Sequence, residues 1–338
     1  MNIDLTSPIY LTESLNEVLP PRRFFTENFF GEMVHGTTGV AVDIIKGSTK
    51  IAPYGARGEA ASVVGRDGYQ TKVFNTYSIS LKRPTTAVEM FKRAPGENVM
   101  YVGEGRDASV AAAELMAHDQ AELAAMVNRA IEKYAVDALI DGQLTILGET
   151  ISFGTQATHK PSLNNTTKWN GGSGAKPLDN LETYAALVAQ DSGLTATDVV
   201  LGSTAKAALF GNADFLKVLD TRMLNAGQAN LDLKVGRGAR FLGMVGGLRL
   251  WAYDEVYNNN GAITPIMPAD KIIVISDAIR ATVHYGLIDD VQGGKFATKM
   301  FSKTWEQQDP SIQWVGVKSA PLPVVEQCDG YVAATVCL

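Results

Sequence analysis

The chain has 338 residues, of which 46% are hydrophobic and 20% charged, with 32 glycines and 13 prolines; this is the profile of a folded protein with a large core and many turns, not of a disordered one. Thirty lysines and arginines against 36 aspartates and glutamates leave a net charge of −6, which disfavours a dedicated binder of phosphate backbones. No apolar run reaches the roughly 18 residues of a membrane span, residues 1–21 carry no secretory pattern, and the only cysteines, Cys328 and Cys337, form no CxxC pair, so a chain made and kept in a reducing cytoplasm is expected.

Residues 1–36 combine Pro8, Pro20 and Pro21 with the aromatic cluster Phe24, Phe25, Phe29 and Phe30, and read as an extended arm that docks by its phenylalanines. From Val40 to Arg83 the pattern is strand-like but interrupted by Gly47, Gly55, Gly58, Gly65 and Gly68, with Val73, Tyr77 and Ile79 as β-formers on the return. The expectation is a long hairpin with no core of its own. After Pro84 and Pro95, Asp107 stands as a helix N-cap, and the run from Ala108 to Asp141 has neither Gly nor Pro before Gly142 ends it. One helix of that length spans about 50 Å. Met116, Leu123, Val127, Ala130, Tyr134 and Ala138 step along it as one apolar stripe.

Gln143 to Phe153 reads as two strands turning at Gly148 and Glu149, followed by a polar loop from Gly154 to Pro177. Helices are expected near Asp179–Gln190, Ser203–Leu209 and Ala213–Asn225, and strands near Asp198–Leu201, Arg240–Met244, Leu248–Tyr253 and Lys271–Ser276, the mixture of an α+β domain. Ile279 to Val336 is mostly strand, including Ala297–Trp305, Ser311–Ser319 and Tyr331–Val336.

No catalytic signature survives inspection. His35, His118, His159 and His284 are scattered and none sits in an HExxH-type motif. Gly171 to Lys176 (GGSGAK) lacks a preceding strand, and Pro177 stands where a phosphate loop needs Ser or Thr. Gly103, Gly105 and Ala108 fit GxGxxA before a helix, but that helix is too long for a βαβ unit of about 30 residues and leads into a polar-alternating hairpin. Neither a catalytic residue, a metal ligand nor a cofactor site is assigned.

Arm, glycine-spaced hairpin, long helix, α+β centre and returning strands, in that order, resemble the Hong Kong 97 capsid fold. Specific segments resemble its lambda-type branch, the major capsid protein E family: Pro21–Phe30 (PRRFFTENFF), Leu144–Thr150 (LTILGET), Lys168 and Trp169, Asp198–Arg222 with its closing LDTR, and Trp305–Val325 with its Asp-Pro turn and SAPL. The match covers most of the chain in order. It implies an α+β subunit with an N-terminal arm over residues 1–39, an E-loop hairpin over 40–84, a peripheral domain over 85–160 with its spine helix at 107–141, an axial domain over 161–278, and peripheral return strands plus a C-terminal segment over 279–338. It implies hexamers and pentamers of one polypeptide closing an icosahedral virion shell around double-stranded DNA, assembled in the host bacterial cytoplasm, with a portal protein and a decoration protein as further partners. No membrane is involved. The short arm before the hairpin leaves no room for a cleaved assembly extension, so a separate scaffolding protein is expected. An encapsulin-like compartment and a nucleotide-using enzyme are the alternatives.

A two-stranded ribbon is marginal alone in water, so the hairpin must lie on another surface. Residues 40–93 hold nine basic and four acidic side chains, and residues 106–142 three basic and seven acidic. The corresponding expectation is that Arg57, Arg66 and Lys72 lie across an acidic outer face formed by Glu114, Glu122 and Glu132 on a neighbour's spine helix, with Phe24, Phe25, Phe29 and Phe30 as further inter-subunit contacts.

Overall fold

A computed structural model describes residues 23–45, 69–86, 108–171, 174–217, 238–259, 261–288, 290, 297–309 and 311–338. In chain order the elements are α1 (Phe24–Phe29), β1 (Gly31–Val34), β2 (Gly39–Ile45), β3 (Tyr69–Asn75), β4 (Ile79–Thr86), α2 (Ala108–Asp141), β5 (Gln143–Ile146), β6 (Glu149–Ser152), α3 (Pro177–Ser192), β7 (Asp198–Leu201), α4 (Ser203–Phe210), β8 (Ala239–Val245), β9 (Leu248–Tyr253), β10 (Val256–Asn259), β11 (Ala262–Pro265), β12 (Lys271–Ile275), β13 (Ala281–Tyr285), β14 (Phe301–Gln307), β15 (Ile312–Ser319), β16 (Pro321–Val325) and β17 (Tyr331–Thr335). The expected Asp107 cap, the glycine motif at 103 and 105, and most of the expected Ala213–Asn225 helix lie outside the described residues.

Helix α2 runs the expected 34 residues and ends at Gly142, whose φ of +59° is left-handed, as a helix stop favours. Its buried face is broader than one stripe. Leu123, Val127 and Ala138 are buried as expected, but Ala130 and Tyr134 are only half-buried, while Ile131, Ala135, Val136, Leu139 and Ile140 are sealed. Toward its C-terminal end the helix is covered from several directions, by α1, β5, β15, β16 and β17, so a single-face reading misses half of its core. The strand pair that follows turns at Leu147 and Gly148, both at positive φ (52° and 87°), one residue earlier than expected, because a two-residue hairpin loop needs left-handed backbone at both positions.

Five strands in the order β17-β12-β7-β9-β8 form the central sheet. Consecutive residues of β12 face opposite cores: Ile273 and Ile275 pack toward the α2 side with Val200, Trp251 and Tyr331, whereas Ile272 and Val274 pack beneath α3 and α4 with Leu201, Leu250 and Val332. A sheet covered on both faces explains strands that read as unbroken apolar runs. Strand β17 pairs with β12 from Lys271↔Thr335 to Ile275↔Tyr331. The last strand, within the C-terminal segment, thus closes an edge of the central sheet.

Two three-stranded sheets, β1-β13-β16 and β14-β15-β4, flank α2. Strand β4 passes through Pro84 and pairs with β15 from Ile79↔Ser319 to Thr86↔Ile312; as an edge strand it tolerates the proline. The paired hairpin is therefore β2–β3, Gly39↔Asn75 to Ile45↔Tyr69, and residues 79–86 are not its return. Its root is not without a core. Val40, Val42 and Phe74 are buried, and Phe74 meets Phe153 edge to face at 6.3 Å.

Candidate functional site

In a subunit expected to act by contact, the site is whatever surface remains after the chain has satisfied itself. Helix α1 is the first case. Its N-cap position, Arg23, supplies no side-chain hydrogen bond, leaving the first backbone N–H groups without a partner of their own. Glu132, projecting from α2, supplies one: Phe25 N–H donates to Oε1 (2.7 Å), Thr26 N–H to Oε2 (3.1 Å) and Thr26 Oγ1 to Oε2 (2.8 Å), while the Tyr253 hydroxyl donates to Oε1 (3.3 Å). Burial pushes the Glu132 carboxyl above the usual range and these four donors pull it back. Around this anchor Phe24 stands against Trp251 at 5.2 Å, and Phe25 meets Tyr253 edge to face at 5.1 Å.

Two expectations change accordingly. Phe24, Phe25, Phe29 and Phe30 are all buried in the chain's own core, the first three in a helix and Phe30 just after it, so their rings are not available as inter-subunit contacts. Glu132, at 1% exposure, is not on an outer acidic face. A cluster of phenylalanines is legible in sequence, but whether it docks on its own chain or on a neighbour is not, since the hydrophobic term has no address.

Other described acids of the supposed face are engaged as well. Arg83 of β4 reaches α2, with Nη1 at 2.7 Å from Asp119 Oδ1 and 2.6 Å from Glu122 Oε2. Asp137 pairs with Lys133, and Asp141 Oδ1 stands 4.0 Å from Lys271 Nζ. Lys72 donates to the Ser152 carbonyl at 3.0 Å within the same chain. Arg57 lies outside the described residues, as do Arg66 and the Glu114 side chain. The pairing of a basic hairpin with a neighbour's helix thus loses Glu122 and Glu132 as free partners.

His118, Asp119 and Glu122 bring three potential ligand atoms within 4.8 Å of one another, yet the Arg83 guanidinium already bridges both carboxylates, so the group is an ion-pair network. Its weight falls on Asp119, which is buried. Arg83→Ala should lower stability by about 1–2 kcal/mol through the stranded Asp119 carboxylate, whereas Glu122→Gln should change the urea midpoint little; equal effects would contradict this ranking. His159 is fully engaged, with Nδ1 at 2.7 Å from the Tyr331 carbonyl and Nε2 at 2.9 Å from Asp191. Both cysteines are free and buried, and burial pushes the Cys328 thiol up to about 11. His35 and His284, 249 positions apart, meet at 2.9 Å, a pair that inspection of the sequence did not find.

Among the surfaces that the described chain leaves open is the outer face of the β2–β3 ribbon; Leu147 and Ile263, at 88% and 76% exposure, lie elsewhere. The residues facing inward anchor it; those facing outward include Tyr69 at 69% and Val73 at 71% exposure, with Ala41 opposite Val73 and Ile45 opposite Tyr69. Asp43 and Thr71, hydrogen-bonded to each other at 2.6 Å, lie between these two apolar pairs, so the face is mixed, with exposed apolar side chains of the kind that interfaces cover.

The family model described as phage major capsid protein E matches residues 8–336. The chain is 23% identical over 323 residues to the major capsid protein of Escherichia phage lambda, spanning 91% of this chain and 92% of that protein. Among solved structures it is similar to a putative prophage capsid protein from Escherichia coli, with a TM-score of 0.72 at 18% identity over 96% of this chain and 99% of the other. It is also similar to the capsid of cyanophage P-SCSP1u, with a TM-score of 0.53 at 9% identity over 94% and 89%.

Proposed function

Because the chain belongs to the phage major capsid protein E family, we propose that its copies join as hexamers and pentamers into the icosahedral shell that encloses the double-stranded DNA of a tailed bacteriophage. The protein is a structural major capsid subunit of a tailed phage, with a Hong Kong 97-like fold and assembly from repeated subunits, and is not an enzyme. The encapsulin-like and nucleotide-using alternatives give way to that membership.

The observation that carries the finer reading is the family match across residues 8–336. Alongside it, the exposed Tyr69 and Val73 side chains of the β2–β3 ribbon support a hairpin that lies on adjoining copies. We favour these exposed side chains over charge pairing as the principal contact, because Asp119, Glu122, Glu132 and Asp137 of α2 are already engaged within the chain. Each such contact is modest, and a closed shell multiplies modest contacts. The proposal includes a separate scaffolding protein, a portal protein and a decoration protein as partners, assembly in the host bacterial cytoplasm, and only non-specific proximity to the packaged DNA, for which a net charge of −6 suits easy release.

Negative-stain microscopy of the full chain with a candidate scaffold tests this reading. Wild-type protein should give regular closed shells, and Val73→Asp should give none while its urea midpoint stays within about 0.5 kcal/mol of wild type, as for a surface substitution. Regular shells from the Val73→Asp protein would remove the ribbon from the interface.

A further inference from the structure

Strand β1 is an edge strand held to β13 by a short parallel ladder of four residues, Gly31↔Thr282 to Val34↔Tyr285. The ladder ends at His35, whose N–H donates to the Tyr285 carbonyl at 2.7 Å. From there the half-buried His35 ring reaches across the strand gap, placing Nε2 at 2.9 Å from Nδ1 of the buried His284, with ring centroids 5.1 Å apart. The other nitrogen of His284, Nε2, stands 3.7 Å from Glu326 Oε1, an ion-pairing and not a hydrogen-bonding distance. Glu326 Oε1 accepts from Thr282 Oγ1 at 2.8 Å, and the Glu326 carbonyl accepts from Ile45 N–H at 2.9 Å. One polar chain therefore joins the end of β1, the middle of its sheet and the Ile45 end of the β2–β3 ribbon.

A nitrogen-to-nitrogen contact at 2.9 Å requires one shared proton and forbids two. With both rings neutral, either ring can donate to the other. A single added proton keeps the contact, because the charged ring then donates to the neutral one. A second proton sets N–H against N–H between two cations. His35, at the rim, is the ring free to leave, and the end of the β1 ladder goes with it.

We propose that His35 and His284 form a proton-operated latch that pins the end of β1, between the anchored helix α1 and the ribbon, and that opens when both rings are protonated.

The surrounding charges leave the histidines a pH window of their own. Burial, and then the neighbouring His284, hold His35 below its ordinary value of 6.5. The latch therefore contributes fully above that value and is lost as pH falls through it toward the lower value of the folded chain. Glu326 is held below the ordinary 4.5 by His284, Thr282 and Arg280. On the opposite face of β1, burial raises Glu32 but Lys299, Arg23 and Tyr285 hold it low. Both carboxylates remain charged until the pH is well below the histidine range.

Hydrogen exchange on the full chain, corrected for the intrinsic pH dependence, tests the latch. Between about pH 7.5 and about pH 5, wild-type amides of residues 31–35 should lose about tenfold in protection while those of β15 change less than about twofold. His35→Gln, which keeps a donor but does not titrate, should show no such loss. An equal loss in His35→Gln, or none in wild type, overturns the proposal. An NMR titration of the wild-type imidazoles needs no variant: His35 should titrate below 6.5, and a value at or above it also overturns the latch.

Discussion

Phe25→Ala lowers the stability of the unassembled subunit by about 3–5 kcal/mol, the cost of emptying a large buried aromatic site. Phe25 is fully buried, in edge-to-face contact with Phe24 at 5.5 Å and with Tyr253 at 5.1 Å. The neighbours are rings from α1 and the central sheet, which cannot collapse into the space without moving whole elements. Urea unfolding of the dispersed chain is the measurement. Its outcome separates two accounts of the same residue: an arm docking on a neighbour leaves the dispersed chain as stable as wild type and harms only assembly, whereas an intrachain anchor destabilises the subunit first.

Glu132→Ala has an effect of similar size by a different route. Removing the carboxylate strands the Phe25 and Thr26 N–H groups and two hydroxyls at a site with almost no water access. Each unpaired buried donor costs about 1–3 kcal/mol, softened where a hydroxyl can turn elsewhere, so a total loss of about 3–5 kcal/mol is expected. Amide exchange at Phe25 and Thr26 should rise along with the fall in urea midpoint, because the substitution frees α1 in particular. Glu132→Gln keeps one acceptor oxygen and should recover part of the loss. A Glu132→Ala protein with wild-type stability would mean that α1 is held by its rings alone.

These two residues also mark the limit of sequence reading. Phe25 is conspicuous, as one of four phenylalanines within seven positions, but its partner Tyr253 lies more than two hundred positions away. Glu132 is one acid among six on α2. A strict helical projection places it four residues after the buried Asn128 and four before Val136, on the rim of the apolar face, and that was the available sign that it points inward. A charge total has no direction, so it cannot separate Glu132 from an exposed acid. The same holds for Arg83, assigned to a basic hairpin by position and to β4 and its ion pairs with Asp119 and Glu122 by geometry.

Local order was legible because its causes are local. The long helix follows from 34 residues free of Gly and Pro; β7 and β9 follow from short apolar runs between turn residues; and the family resemblance followed from segments kept in order along the chain. Pairing was not legible, because a strand's partners depend on which edges remain open after every other element has packed. Thus β17 closing the central sheet, β4 joining β15, His35 meeting His284 and the phenylalanines turning inward were decided only by tertiary structure, where burial and hydrogen-bond satisfaction must be met for all residues at once.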